Sequence, residues 1–205
     1  MRNPADILYN FHWVVPGVLA RSAQAWLGFL GPFLRAHGIA SVLNLRGPNP
    51  NHKWWVYEKR VCEARGIVHV DVMLNSRRLP TRQMLINLLD AFDGAQAPVL
   101  VKCSGGQDRS SFAAALYLLH TKGAGAIGEA HGQFARWPYL HRPKAQQRWL
   151  QPFADYACEH MKTESLRMFV TQTYTPEHLK AWLEVRGLGA SFRGLYDVPG
   201  TAPGI

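Results

Sequence analysis

A cysteine and an arginine lie six positions apart in the stretch VLVKCSGGQDRSSFAAALYLLH, residues 99–120. An apolar strand pattern precedes Cys103, and a helical apolar run follows Arg109. A tight turn from a strand into a helix directs successive backbone N–H groups inward, and such a nest binds anions. The loop is therefore predicted to cradle a phosphate group. Its phosphate-binding residues would be Ser104, Gly105, Gly106 and Gln107.

Cys103 is the candidate nucleophile of this loop. The inward N–H groups and Arg109 would stabilise a thiolate, which is the reactive form of cysteine. The guanidinium of Arg109 can also hold two oxygens of a phosphate. Attack of the thiolate on phosphorus would give a phosphocysteine intermediate, and Ser110 could hydrogen-bond the sulfur and help it leave. The alternative is a buried, inert cysteine in a glycine-containing turn.

Two carboxylates are candidates for the general acid that protonates the leaving oxygen. Asp108 lies inside the loop, directly before Arg109, and Asp71 ends the strand pattern IVHVDV. The structural alternatives are a hydrogen-bond acceptor for Asp71 and a helix cap for Asp108. We favour Asp108, because the polar loop NSRRLP that follows Asp71 contains no carboxylate.

Three further arginines are candidates for substrate binding. Arg46 follows a strand pattern, and Arg77 and Arg78 lie on the loop NSRRLP. They could read additional phosphates on a substrate. A solvated loop for Arg77 and Arg78, and a salt bridge at the edge of the core for Arg46, are the structural alternatives.

Strand patterns alternate with helical patterns along the chain. Strands are predicted at 39–45, 67–72 and 98–102, and residues 13–21 look extended. Helices are predicted at 24–37, 52–65, 82–93, 109–121, 126–135, 143–161 and 176–186. This order predicts an α/β fold with three layers, in which a mostly parallel sheet of four to five strands is flanked by helices. Ligand sites in such sheets lie beyond the carboxyl ends of the strands, where Cys103 is expected.

Composition restricts the setting and the partners. The 205 residues, 47% of them hydrophobic, suit one globular core. The formal charge of +9 favours anionic partners. Three widely spaced cysteines make a disulfide framework unfavourable and fit a reducing, cytoplasmic setting. The sequence contains no signal-peptide pattern and no apolar run long enough to predict a transmembrane segment.

The segment from Cys103 to Ser110 resembles the C-x5-R-(S/T) signature of the protein tyrosine phosphatase superfamily, in its dual-specificity branch. The likeness extends over about 13–160 through VVPGVLARSAQ, HGIASVLNLRG and PVLVKCSGGQDRSSFAAALYLL, in the order of atypical, compact members, most of all bacterial ones. The resemblance implies a central sheet flanked by helices, no metal and no cofactor. It also supports Asp108 as the acid, since the myotubularins have an aspartate directly before the arginine in that role. One departure is Lys102, where the family usually has a histidine that supports the loop from behind.

These observations predict a metal-independent phosphatase that acts on a phosphorylated protein, a phosphoinositide or an inositol phosphate. Residues 1–161 would form the phosphatase domain, and 162–205 a C-terminal helix and a loosely ordered tail packed on it. A catalytically weak or inactive module that binds phosphorylated partners is the first alternative, motivated by Lys102. RNA 5′-phosphate processing is the second; the charge prompts it, although we consider nucleic acid an unlikely partner.

Overall fold

The computed structural model describes residues 4–25, 28–161 and 164–196. A five-stranded sheet runs through its centre in the order β1-β2-β5-β3-β4. The strands are β1 (His12–Val15), β2 (Leu19–Ser22), β3 (Ser41–Asn44), β4 (Val68–Asp71) and β5 (Val99–Lys102). Strands β2, β5, β3 and β4 are parallel, and only β1 is antiparallel, to β2. The predicted mostly parallel sheet is confirmed.

Helices cover both faces of this sheet. They are α1 (Pro4–Leu8), α2 (Leu30–Ala36), α3 (Lys53–Glu63), α4 (Arg82–Gly94), α5 (Asp108–Lys122), α6 (Ile127–Gly132), α7 (Pro152–Met161), α8 (Leu166–Met168) and α9 (Pro176–Val185). Side chains alternate between the two faces along each strand. On β5, Val99 and Val101 join a core that includes residues of α4, α5 and α7, whereas Leu100 joins a second core with residues of α2 and α3. The predicted three-layer arrangement is confirmed.

The first extended segment forms a hairpin rather than one strand. Pro16 and Gly17 form the turn between β1 and β2, and Val18 N donates to Val15 O at 3.0 Å. Gly17 has a φ of +71°, a conformation that glycine adopts without strain. Proline followed by glycine is the preferred pair for such a turn.

Two predicted helices are shorter than their patterns suggested. The segment predicted as a helix at 143–161 contains a 3₁₀ turn, Ala145–Gln147, and α7 begins only at Pro152. Proline lacks the N–H that an interior helical position needs, so it fits best at a helix start. Part of the helix predicted at 24–37, Trp26 and Leu27, lies outside the described residues, and α2 occupies Leu30–Ala36.

The chain beyond α7 forms α8 and α9 and then contacts the loop before α4. Helix α9 begins behind Thr175, whose hydroxyl accepts a hydrogen bond from His178 N at 3.1 Å, as its sequence predicts. Residues 187–196, the first part of the predicted tail, bond to the loop before α4. Arg193 N donates to Arg77 O at 2.7 Å, and Tyr196 N donates to Leu79 O at 3.0 Å. Residues 162–163 and 197–205 lie outside the described part of the chain.

Candidate active site

The loop between β5 and α5 is held from behind by a buried arginine. Arg21, on β2, is 0% exposed. Its Nη2 donates to Gly106 O at 2.9 Å, to Gln107 O at 3.2 Å and to Ser111 Oγ at 2.7 Å. Its Nη1 donates to Gln133 O at 2.8 Å. Burial lowers the pKa of Arg21 to about 10, so the guanidinium stays charged at neutral pH.

Two more groups from the N-terminal region bind the same side of the loop. Asn10 Nδ2 donates to Gly106 O at 3.1 Å and to Gly105 O at 3.4 Å. Gln24 N donates to Ser104 O at 3.1 Å. These bonds turn four successive carbonyls, 104–107, towards β2 and the N-terminal segment, away from the cavity that the loop borders. Because the C=O and N–H of one planar trans peptide point in opposite directions, the N–H groups of 105–108 point towards the cavity side.

Gly106 is required where the loop passes closest to β2. Its φ is +62°. A Cβ built on it would lie 2.5 Å from Ala23 N and 2.6 Å from Ser22 C, both of them backbone atoms. Gly105 has more room, since a Cβ there would approach nothing nearer than 3.9 Å. The close approach of loop and strand thus depends on a residue without a side chain at 106.

The Cys103 thiol lies at the base of this loop and is 3% exposed. Ser110 Oγ donates to Cys103 Sγ at 3.2 Å. Burial alone would raise the pKa of Cys103, but the Arg109 charge, the Ser110 hydroxyl and the backbone N–H groups of Ser110 and Gln107 outweigh it and lower that pKa below the usual value. The loop therefore favours a thiolate, as its sequence indicates.

Arg109 connects the loop to the end of β3. Its Nη2 donates to Ser104 Oγ at 3.0 Å, and its Nη1 lies 3.4 Å from Leu45 O. A cavity of about 370 Å³ opens at this point, at the carboxyl end of the parallel strands. Its lining residues are Met73, Leu74, Asn75, Ser76, Arg77, Ser104, Asp108, Arg109 and Gln147. The predicted phosphate-binding loop thus borders an open polar cavity.

The two candidate acids occupy different places. Asp108 lines the cavity, and its Oδ2 accepts a hydrogen bond from Gln147 Nε2 at 2.9 Å. Asp71 does not line it: its carboxylate accepts Asn44 Nδ2 at 2.6 Å and Trp55 Nε1 at 2.9 and 3.0 Å. Strand β4 is also separated from β5 by β3. These contacts favour Asp108 over Asp71 as the candidate acid, because the Asp71 side chain instead joins Trp55 of α3 to the end of β3.

The three arginines considered for substrate binding make different contacts. Arg77 is exposed and lines the cavity. Arg46 stacks on Trp54, with Cζ 3.6 Å from the ring centroid. Burial, followed by the charge of Arg109, lowers the pKa of Arg46, which places its guanidinium within electrostatic reach of the loop. Arg78 differs from both, since its Nη1 donates to Leu195 O at 3.0 Å and so binds the C-terminal segment.

Lys102 takes part in a buried ion pair behind the loop. Its Nζ lies 2.7 Å from Glu58 Oε1 and 2.7 Å from Gln24 Oε1. Glu58 also accepts Gln24 Nε2 at 2.6 Å and contacts His69 Nε2 at 2.9 Å. Burial lowers the pKa of Lys102 to about 8. The lysine thus fills the position behind the cysteine by joining β5 to α3.

Several supporting residues were not identified from the sequence. Asn10 and Gln24 lie in irregular segments, and nothing local marks them as partners of a loop about 80 to 95 positions away. Gln147 and His141 belong to the stretch 131–148, which is rich in histidine, arginine and aromatic residues. Nothing in that composition distinguishes either residue from its neighbours.

The described residues contain no group of three or more His, Cys, Asp and Glu side chains that could hold a metal ion. Over the same part of the chain, every helix is too short or too polar to cross a membrane.

A known family model matches most of the chain. Residues 8–167 match the family model described as PTP-SAK, the Swiss Army Knife protein, DSP-PTPase phosphatase domain. No curated protein sequence matches the chain significantly.

Solved structures of phosphatases share the fold. TpbA from P. aeruginosa has a TM-score of 0.56 and 15% sequence identity, covering 84% of this chain and 95% of its own. TpbA in complex with pTyr gives a TM-score of 0.53 at 18% identity, covering 84% and 99%. The core catalytic domain of the PP-IP phosphatase SIW14 from S. cerevisiae, in complex with citrate, gives 0.52 at 16% identity, covering 87% and 93%.

Proposed function

The chain belongs to this family of dual-specificity phosphatase domains, and on that premise we propose that it hydrolyses phosphate monoesters through a phosphocysteine intermediate, without a metal ion. One observation carries the proposal. The Cys103 sulfur accepts hydrogen bonds from the Ser110 hydroxyl and from loop N–H groups, and the charge of Arg109 lowers its pKa further. A thiolate at the base of a phosphate-sized loop is a suitable nucleophile for phosphorus.

In the first step, Cys103 Sγ attacks phosphorus and the bond to the leaving oxygen breaks. The N–H groups of 105–108 and the Arg109 guanidinium hold the other phosphate oxygens, which carry the developing charge. Asp108 gives its proton to the leaving oxygen, so the product departs as a neutral alcohol or phenol.

In the second step, water attacks the phosphocysteine and the P–S bond breaks. Asp108, now a carboxylate, takes a proton from that water, and in this proposal the Gln107 amide orients it. The Ser110 hydroxyl donates to the sulfur as it leaves with the electron pair, which regenerates the thiolate. Free phosphate is the second product.

The cavity rim supports substrates with negative charge beyond the reacting phosphate. Arg77 lines the cavity and Arg46 lies within electrostatic reach of Arg109. Guanidinium groups pair well with phosphates and carboxylates. We therefore infer a phosphoprotein, phosphoinositide or inositol phosphate substrate, and three free cysteines are consistent with action in the cytoplasm.

The test is hydrolysis of 4-nitrophenyl phosphate by full-length protein and by Cys103→Ser. Turnover should vanish in this variant while vanadate binding persists, because the loop and Arg109 are retained. Cys158→Ser is the matched control, since Cys158 lies on α7, is half-buried with its Sγ near Ala124 O, and is outside the loop. Undiminished hydrolysis in Cys103→Ser would exclude the mechanism, and vanadate binding without turnover in the wild type would instead indicate a phosphate-binding module.

A further inference from the structure

A buried histidine faces the proposed acid. His141 is 6% exposed, and its Nε2 lies 3.4 Å from Asp108 Oδ1. Both atoms are buried, and neither has another hydrogen-bond partner in the described part of the chain. The second carboxylate oxygen, Oδ2, is held by Gln147 Nε2 at 2.9 Å. Asp108 is therefore fixed at both oxygens, once by an amide and once by an imidazole.

The other ring nitrogen of His141 determines the state of Nε2. His141 Nδ1 lies 3.0 Å from the carbonyl oxygen of Phe134. A carbonyl only accepts hydrogen bonds, so Nδ1 carries a proton and donates it. In a neutral imidazole Nε2 would then have only a lone pair, which would face a lone pair of Oδ1. Two buried acceptors in contact are unfavourable unless a proton lies between them.

We propose that His141 is the positioning partner of the Asp108 acid and holds a proton between Nε2 and Oδ1 during catalysis. This inference rests on the proposed phosphatase function. When the Oδ2–H bond breaks and its proton joins the leaving oxygen, the electron pair stays on the carboxylate. The N–H of His141 then stabilises the charge at Oδ1, and Oδ2 regains a proton from the attacking water in the second step.

Other charged groups surround the pair and contribute to its field. On the Asp108 side these are Arg21, Arg77, Arg109 and the Cys103 thiolate, and on the His141 side Arg148 and Asp155. Asp155 is itself paired with His131 at 2.9 Å. Within the described residues, the carboxylate that lies within 4 Å of His141 is that of Asp108, at 3.4 Å.

The role of His141 is tested by the kinetics of two substrates, one whose leaving group needs a proton and one whose leaving group does not. For His141→Gln, we expect kcat on phenyl phosphate to fall roughly tenfold or more, since loss of a general acid itself costs about 10²–10⁴-fold. Turnover of 2,4-dinitrophenyl phosphate should be nearly unchanged, because its leaving group needs no proton. In an Asp108→Asn background, His141→Gln should have no further effect on phenyl phosphate, since the two groups act as a unit.

His120→Gln is the matched control. His120 also pairs with an aspartate, Asp93, at 2.7 Å, but at the far end of α5. It should leave both substrates unaffected. Equal losses on both substrates in His141→Gln, or no loss on either, would contradict the proposal.

A spectroscopic measurement tests the contact between His141 and Asp108 independently of phosphatase activity. In imidazole ¹⁵N NMR of the full chain at one neutral pH, Nε2 of His141 should bear a proton in the wild type and none in Asp108→Asn, where the amide can donate to it. Identical His141 spectra would overturn the inference even if the enzyme is active. A changed spectrum in a protein that turns over neither phosphate would preserve the pair and reject the phosphatase function.

Discussion

At the scale of single residues, the three cysteines of this chain differ in the direction in which their surroundings shift the thiol pKa. Burial raises the pKa of Cys62 to about 12 and that of Cys158 above its usual value. Cys103 is 3% exposed and so about as buried as Cys62, yet its pKa is lowered, because Arg109, Ser110 and loop N–H groups outweigh the burial. The loop, and not accessibility, is what distinguishes the candidate nucleophile from the other two thiols.

This contrast predicts selective alkylation. A lowered pKa keeps a thiol ionised at pH values below its usual range, so Cys103 should react with iodoacetamide at a lower pH than Cys62 and Cys158. Mass spectrometry of the labelled peptides measures this. Arg109→Met should shift the reaction of Cys103 to higher pH. Labelling of Cys103 only above about pH 8.5, the range of an ordinary thiol, would contradict the thiolate and favour an inactive module.

At the scale of elements, the conformation of the loop between β5 and α5 depends on Gly106 much more than on Gly105. Gly106→Ala should destabilise the protein by at least about 1–2 kcal/mol from the left-handed conformation alone, with the collision against Ala23 N added. Gly105→Ala should stay within about 0.5 kcal/mol, because Gly105 is exposed and a Cβ there meets no backbone. Urea unfolding of the two variants decides between them, and equal stabilities would show that the loop adapts.

The sequence predicted those helices and strands that are determined by residues close to them in the chain. The strand before Cys103 and the helix after it follow from apolar spacing and from turn residues close by. A threonine is also a common residue directly before a helix, and Thr81 Oγ1 accepts Met84 N at 3.2 Å at the start of α4. The backing of the loop could not be predicted in this way. Arg21 reaches Gly106 over 85 positions, and its partner Gln133 over 112, so only the fold brings them together.

At the scale of the whole molecule, the ion pair between Lys102 and Glu58 joins the central strand to α3. Burial would raise the pKa of Glu58, but hydrogen bonds from His69, Lys102 and Gln24 lower it, so the carboxylate stays charged. Lys102→Met should cost up to about 3–5 kcal/mol, because it removes the lysine charge from a buried carboxylate that then keeps only His69 and Gln24 as partners. Guanidinium unfolding of the intact chain measures the loss.

The control for this variant is an exposed pair. Lys122 Nζ lies 2.6 Å from Glu129 Oε2, and both side chains are about half exposed. Lys122→Met should therefore cost no more than about 1 kcal/mol. The double variant Lys102→Met with Glu58→Met should recover part of the stability lost in the single one. A Lys102→Met protein as stable as Lys122→Met would mean that Glu58 is not held as an ion.

The dependence of the loop on Asn10, Arg21 and Gln24 has a consequence for shortened versions of this protein. A fragment that starts after residue 24 would keep every letter of the motif from Cys103 to Ser110. It would lose the groups that turn four successive carbonyls away from the cavity. A search for the motif would score such a fragment as intact, although the part of the chain that shapes its anion cradle would be gone.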